Sequence, residues 1–257
     1  MDNFSTNAGR ADISLRKVAL IAGLGLLGMA VLAPLALFGV LNTLVEGGNP
    51  AATVANILES EGTFRLAIAA FLVVAFLDVL VAWALYVLMR PVNGTGAMLV
   101  GWLRLAAAAA SLSALANLLD VAQLLGGPAA SALPAAIVEA QVMASVASFH
   151  NAMDIHLAIF GVHLLGVGAL VYKSVQFPRF LGVLVVIAGV GYLADTFTRI
   201  LVPDFAFTFS LFTFVGEALL IVAFLYRAIK GFADEPDSHQ APLGTAAAQA
   251  APVASSV

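Results

Sequence analysis

The chain has no cysteine, which removes disulfide scaffolds, thiol catalysis and thiolate metal sites. Charge is scarce too. Only 10% of the 257 residues are Asp, Glu, Lys or Arg, against about 25% in a soluble domain. Charge this sparse argues against a voltage sensor, and the net charge of −4 argues against a nucleic-acid partner. No lysine lies inside a long apolar run, so a retinal Schiff base is excluded. No H-E-x-x-H, G-x-S-x-G or P-loop motif occurs.

Apolar residues fill the space that charge leaves. They make up 62% of the chain, and the mean hydropathy is +1.03. A helix needs about 20 mostly apolar residues to cross a bilayer. Six runs qualify, near 18–45, 66–89, 97–125, 151–172, 179–199 and 205–227. The expected fold is therefore an all-α, integral membrane bundle of six transmembrane helices. Residues 1–13 and 232–257 read as disordered tails, the second rich in Ala, Pro, Ser and Gln.

Basic residues set the orientation. Arg10, Arg16, Lys17, Arg90, Lys173, Arg179, Arg227 and Lys230 fall on one side, Arg65 and Arg199 on the other, and Arg104 within a span. Both termini are expected in the cytoplasm, in a bacterial inner membrane. The first two outer connections are long enough for short amphipathic helices. In one, Asn49 is a candidate N-cap with Pro50 behind it; Val54, Ile57 and Leu58 share a face, and Gly62 can end the helix. In the other, over 134–148, Ile137, Val138, Gln141, Val146 and Phe149 form a weaker pattern. Small residues mark close packing in lipid. The Ala106–Ala110 run suggests a central third span. Gly161 and Gly168, and Gly182 and Gly189, are each seven apart, so spans four and five are expected to touch along them.

A charge at mid-membrane costs about 2.5–3.5 kcal/mol on insertion scales and usually has a partner and a purpose. Asp78, His163 and Glu217 fall near the centres of their spans, and Arg104 about 9 Å inside its own. These four, with Asp195, form the candidate polar cluster. Asn117, Asp120, Asp154 and His156 sketch a second track toward the outer face. His156 and His163 are seven apart and share a helix face. Two carboxylates, Asp78 and Glu217, face one guanidinium, so one must hold a proton, His163 must carry one, or a cation must bind.

Three functions suit such a cluster. One is a small proton- or cation-coupled carrier, with Asp78 and Glu217 as proton or cation sites, Arg104 as counter-ion and His163 as shuttle. Another is an intramembrane metal-dependent enzyme acting on a lipid or apolar substrate, with His163, Asp78 and Asp195 as ligands for a divalent metal. The third is a non-catalytic structural or regulatory membrane protein whose cluster fixes helix register. No cofactor is evident. A bis-histidine haem normally takes ligands from two helices, and all the intramembrane histidines here lie on one. The bilayer is the partner the sequence requires; a small-molecule or lipid ligand stays open.

Several separated segments carry a family resemblance. They include Ala-Asn-Ile-Leu at 55–58, Leu-Tyr-Val-Leu at 85–88 and Pro-Val-Asn at 91–93. Further on come Phe-Gly-Val-His-Leu-Leu at 160–165, Phe-Pro-Arg-Phe-Leu-Gly-Val-Leu at 177–184 and Gly-Tyr-Leu-Ala-Asp at 191–195. In this order they resemble an uncharacterised bacterial family catalogued as domain of unknown function 4386, over about residues 15–230. The resemblance implies a six-span bundle with polar positions matching Asp78, Arg104, His163 and Asp195. It brings no activity with it, and His156 falls outside its pattern.

Reporter fusions at both termini should read out the cytoplasm; a periplasmic signal from either end would break the six-span topology.

Overall fold

The computed structural model describes residues 13–202 and 207–232. The expected tails, apart from Ile13 and Phe232, lie outside these residues, as does the start of the sixth expected span. All described elements are helical.

Helix α1 (Leu15–Pro34) opens on Ser14, whose side chain accepts from the Lys17 N–H. It continues through a π-helical stretch, Leu35–Leu41, into the short α2 (Asn42–Leu44). Pro34 accounts for the change in winding. It has no N–H to donate and its ring crowds the preceding turn, so the ladder loosens beyond it.

Helix α3 (Pro50–Glu59) begins at the expected cap: Asn49 accepts from the Ala52 N–H at 3.1 Å, and Pro50 follows. Its inner face differs from the expected one. Thr53 and Ile57 are buried, whereas Leu58 is 50% exposed. The Thr53 hydroxyl accepts from the Glu46 N–H at 3.0 Å, so a polar residue that hydropathy discounts anchors the helix. Gly62 does not end it. The break falls at Ser60, and Gly62 lies in the first turn of α4 (Glu61–Met89).

Helix α5 (Gly94–Gly126) is capped by Asn93, which accepts from the Gly96 N–H at 2.7 Å. A single turn, α6 (Ala129–Ala132), leads to α7 (Ala135–Lys173). The second loop helix expected over 134–148 is thus not a separate element. It is the first part of a 39-residue helix, about 58 Å long, far beyond a hydrocarbon core of about 30 Å. Val138, Val142, Val146 and Phe149 form its buried stripe there, while Ile137 is exposed. Helix α8 (Arg179–Leu201), the single turn α9 (Ser210–Thr213) and α10 (Val215–Lys230) complete the chain.

Among the described residues, five helices are long and apolar enough to cross a membrane: Leu15–Leu44, Glu61–Met89, Gly94–Gly126, Ala135–Lys173 and Arg179–Leu201. Helix α10 has 16 residues, about 24 Å. It nevertheless completes the bundle. Helix α1 packs on α4, α4 on α5, α5 on α7, α7 on α8, α8 on α10, and α10 back on α1. Arg16 holds the closure, donating from Nη2 to the Ile229 carbonyl at 2.7 Å and from Nε to the Ala228 carbonyl at 3.3 Å. The beginning of α1 and the end of α10 therefore lie at the same end of the ring.

Glycine sets how closely the helices approach. The Gly-x-Gly-x-x-Gly run at 23–28 lies inside α1, not between a strand and a helix, and does a packing job. A Cβ on Gly23 would meet Leu225, one on Gly25 Val81, and one on Gly28 Leu77. Between α7 and α8 the backbones themselves touch, as the spacing predicts. A Cβ on Gly161 would lie 2.9 Å from the Gly189 oxygen, and one on Gly168 2.7 Å from the Gly182 oxygen. The two pairs share one antiparallel register. The central position expected for the third span is not seen: α5 packs on two long neighbours, α4 and α7, as one wall of the ring. Helix α5 turns Trp102 outward, 61% exposed.

Two apolar cores result. One joins Val81, Leu85, Val100, Leu164, Val167, Val185 and Phe224. The other joins Ile57, Phe64, Phe71, Leu118, Val142 and Phe149. Along α4, α5 and α7, the residues between these cores are those that carry the polar groups.

Replacing Gly168 with Leu should push α7 off α8 and destabilise the bundle by about 1–3 kcal/mol, as overpacking does. Gly62→Ala, at a helical site with nothing within 4 Å, should leave melting unchanged or raise it slightly. Thermal melting in detergent checks both.

Candidate functional site

Three of the five candidate cluster residues meet between the cores. Asp78 on α4, Arg104 on α5 and His163 on α7 are 4%, 2% and 0% exposed. Arg104 Nη2 donates to Asp78 Oδ1 at 2.8 Å. Arg104 Nη1 lies 3.2 Å from His163 Nε2. The other imidazole nitrogen, Nδ1, lies 2.9 Å from the Val100 carbonyl. A carbonyl only accepts, so Nδ1 carries the hydrogen and Nε2 offers its lone pair to the guanidinium. His163 is thus held as the neutral tautomer with both nitrogens in use.

Two further contacts to Arg104 have no signature in the residue pattern. Nη2 also lies 3.6 Å from the Met29 sulfur on α1, and the guanidinium sits over the Phe160 ring, 5.3 Å from its centroid. Phe160 in turn stacks between the two histidines, with ring centroids 5.9 Å from His156 and 5.6 Å from His163. One helical face supplies all three, since 156, 160 and 163 stand at i, i+4 and i+7.

His156 repeats the geometry of His163. Its Nδ1 lies 2.8 Å from the Ala107 carbonyl. Ala107 and Val100 are seven apart on α5, as the histidines are on α7, so the two bonds form matching rungs between antiparallel helices. His156 falls outside the family pattern suggested by the sequence, yet it makes the same kind of contact.

Glu217 stands apart from the triad. Tyr192 on α8 is its hydrogen-bonding neighbour, and its Oε1 is buried with no partner among the described residues. One turn earlier on the same face, Thr213 Oγ1 is also buried without a partner. It presses on Gly191, where a Cβ would lie 2.0 Å from that oxygen. Asp195 does other work. Its carboxylate accepts from the Phe209 N–H at 2.6 Å and the Ser210 N–H at 2.9 Å, which caps the first turn of α9 with a negative charge.

The outer residues do not join into a track. Asp154 pairs with Arg199 between α7 and α8, and its carbonyl accepts from the Thr196 hydroxyl at 3.1 Å. Asn117 donates to the Ala114 carbonyl of its own helix at 3.1 Å. Asp120 is exposed. For the expected metal ligands, Asp195 faces the α9 backbone while Asp78 and His163 both turn to Arg104. Among the described residues, no three His, Asp or Glu side chains converge as a metal site. Two surface concavities, one at Tyr172–Arg179 and one between α4 and α5, have linings that include none of the triad.

This is an all-helical protein whose helices are apolar enough to cross a membrane, with a buried ion pair bonded to a histidine at its centre. The chain belongs to the family described as domain of unknown function DUF4386, whose profile matches residues 21–227. A relative from Archaeoglobus fulgidus, described as an uncharacterized protein, is 32% identical over 175 residues, covering 68% of this chain and 89% of its own length. No solved structure matches the chain.

Breaking a buried pair typically costs 3–5 kcal/mol, because the partner is left charged and alone. Arg104→Ala should lower the melting temperature in detergent more than Asp78→Asn. Alanine strands a buried carboxylate and frees His163 Nε2, whereas Asn keeps an oxygen that accepts from Arg104. Melting of both variants at the wild-type temperature would sink the buried-pair assignment.

Proposed function

We propose that this is a six-span, non-catalytic membrane protein of structural or regulatory role, in which the Asp78–Arg104–His163 triad locks the register of α4, α5 and α7. The supporting observation is that the groups able to take a proton or a metal are paired; the triad's unpartnered buried nitrogen, Arg104 Nε, is a donor that stays protonated. Asp78 and the His163 lone pair are both spent on one guanidinium, and the layer is sealed by apolar cores on either side. A proton shuttle needs a free lone pair and a path to water; a metal site needs the space that Arg104 fills. The two ends lie in the cytoplasm in this reading, and the membrane is the cytoplasmic (inner) one. The contact of Arg16 with the end of α10 puts both ends on one side, and the basic residues at that end, Arg16, Lys17, Arg90, Lys173, Arg179, Arg227 and Lys230, support the cytoplasm as that side.

The second reading is a proton-coupled carrier, with Glu217 as the proton site. It rests on the buried, unpartnered Oε1 in the shortest wall of the ring. A carboxylate there, with no ion pair to Arg104, is neutral when it holds a proton.

Two measurements separate the readings. In a double-mutant cycle on melting, Asp78→Asn and Arg104→Gln should be non-additive, with a coupling of about 0.5–3 kcal/mol. Proteoliposomes carrying a pH-sensitive dye should show no protein-dependent proton flux under an imposed gradient. Flux that Glu217→Gln abolishes without shifting the melting temperature would replace the lock with the carrier.

A further inference from the structure

The outward face of α4 and α5 carries a feature that the triad does not explain. A groove of about 280 Å³ runs between the two helices, lined by Val79, Ala82, Trp83, Tyr86, Gly101 and Trp102, among others. The chain has two tryptophans, and both line this groove. They are 41% and 61% exposed. Gly101 forms part of the floor. A Cβ there would make only ordinary contacts, 3.7 Å from the Ala82 oxygen and 3.9 Å from Tyr86 Cβ, so close helix packing does not require a glycine here. Its smallness leaves the groove open.

The polar ends around the groove are unspent. Among the described residues, neither indole N–H has a hydrogen-bond partner, and the Arg90 side chain has no hydrogen bond or ion pair. Arg90 ends α4 with helical dihedrals, φ −53° and ψ −40°, so it continues the stripe of Val79, Trp83 and Tyr86 at i, i+4, i+7 and i+11. It is exposed, at the helix end, about 10 Å along the axis from Trp83. An apolar slot thus leads to amphipathic aromatics and then to a free cation at the membrane edge. That order matches the acyl chain, ester zone and phosphate of a phospholipid. Tryptophan and tyrosine favour the zone between chain and headgroup, and basic side chains at the surface attract anionic headgroups.

We propose that the α4–α5 groove is a binding site for one anionic phospholipid, with its phosphate on Arg90 and an acyl chain along Trp83, Gly101 and Trp102. Charge complementarity favours a lipid over a second copy of the chain, whose transmembrane face would leave Arg90 unpaired.

The tryptophans are their own probe. The full chain is reconstituted in phosphatidylcholine vesicles containing a rising fraction of either dibrominated phosphatidylglycerol or dibrominated phosphatidylcholine, whose bromines quench a neighbouring indole. Brominated phosphatidylglycerol should reach half-maximal quenching at a mole fraction about fivefold lower than brominated phosphatidylcholine, a preference of the size one surface cation provides. Arg90→Gln should remove that preference while leaving the quenching by brominated phosphatidylcholine in place. Gly101→Leu, which fills the slot from inside, should weaken quenching by both lipids. Equal quenching by the two lipids in wild type, or a preference that survives Arg90→Gln, overturns the proposal. So does emission that neither lipid quenches in a chain that cross-links as a dimer, which would give the groove to a second copy.

Discussion

The bundle depends on one requirement: a buried guanidinium must find partners or not be there. Arg104 meets it at both terminal nitrogens and on one aromatic face, drawing four groups from three other helices, while its Nε is buried without a partner. Asp78 comes from α4, His163 and Phe160 from α7, and Met29 from α1. Satisfying all of them fixes rotation and axial position together. A shift of α7 by one residue would swing His163 about 100° around its axis, breaking both its bond to Arg104 and its bond to Val100. Apolar packing in lipid discriminates only where small residues let backbones meet, because lipid chains and side chains are equally oily. In the register-lock reading, the polar layer selects one arrangement where the two apolar cores alone would tolerate several, at a cost in stability relative to an apolar layer.

The same register is written twice more on α7. Toward α5, His156 and His163 bond carbonyls seven residues apart; toward α8, Gly161 and Gly168 meet glycines seven apart. Seven residues are nearly two full turns, so each pair lies on a single face. The two sets point to opposite neighbours, one through hydrogen bonds and one through close approach. Helix α7 is thus keyed to both of its neighbours in the ring. Small side chains permit close packing on every face but demand it on none, so α5 can leave Trp102 in the lipid.

Much of this was legible in the sequence. The apolar runs gave the helices, Asn49–Pro50 gave the start of α3, and the glycine spacing gave the contact between α7 and α8. The triad was foreseeable as charges needing partners. Other features left no such trace. The histidines bond backbone carbonyls, which every residue has, so no side-chain pattern reveals them. Asp195 caps a turn fourteen residues further on, beyond the reach of local cap rules. The track through Asn117 and Asp120 does not form, because spacing defines a face without saying which way it points. The outer part of α7 reads as a loop helix in the sequence because polarity rises near Glu139 and His150. Helical propensity does not fall there, and the alanines of that stretch carry the helix through.

Helix α10 is the shortest wall of the ring. Arg16 holds its end, and Arg227 donates there to the Gln176 carbonyl. Its other end follows a single turn whose cap belongs to α8. It touches α8 closely: a Cβ on Gly216 would lie 2.3 Å from the Leu184 oxygen, and Glu217 has Tyr192 as its hydrogen-bonding neighbour. The unpartnered Glu217 and Thr213 oxygens sit on this same wall. A buried acceptor without a donor is tolerable only where its charge or its neighbours can change. If the protein has a moving part, these two oxygens put it at α10 rather than at the triad, whose bonds tie three helices together.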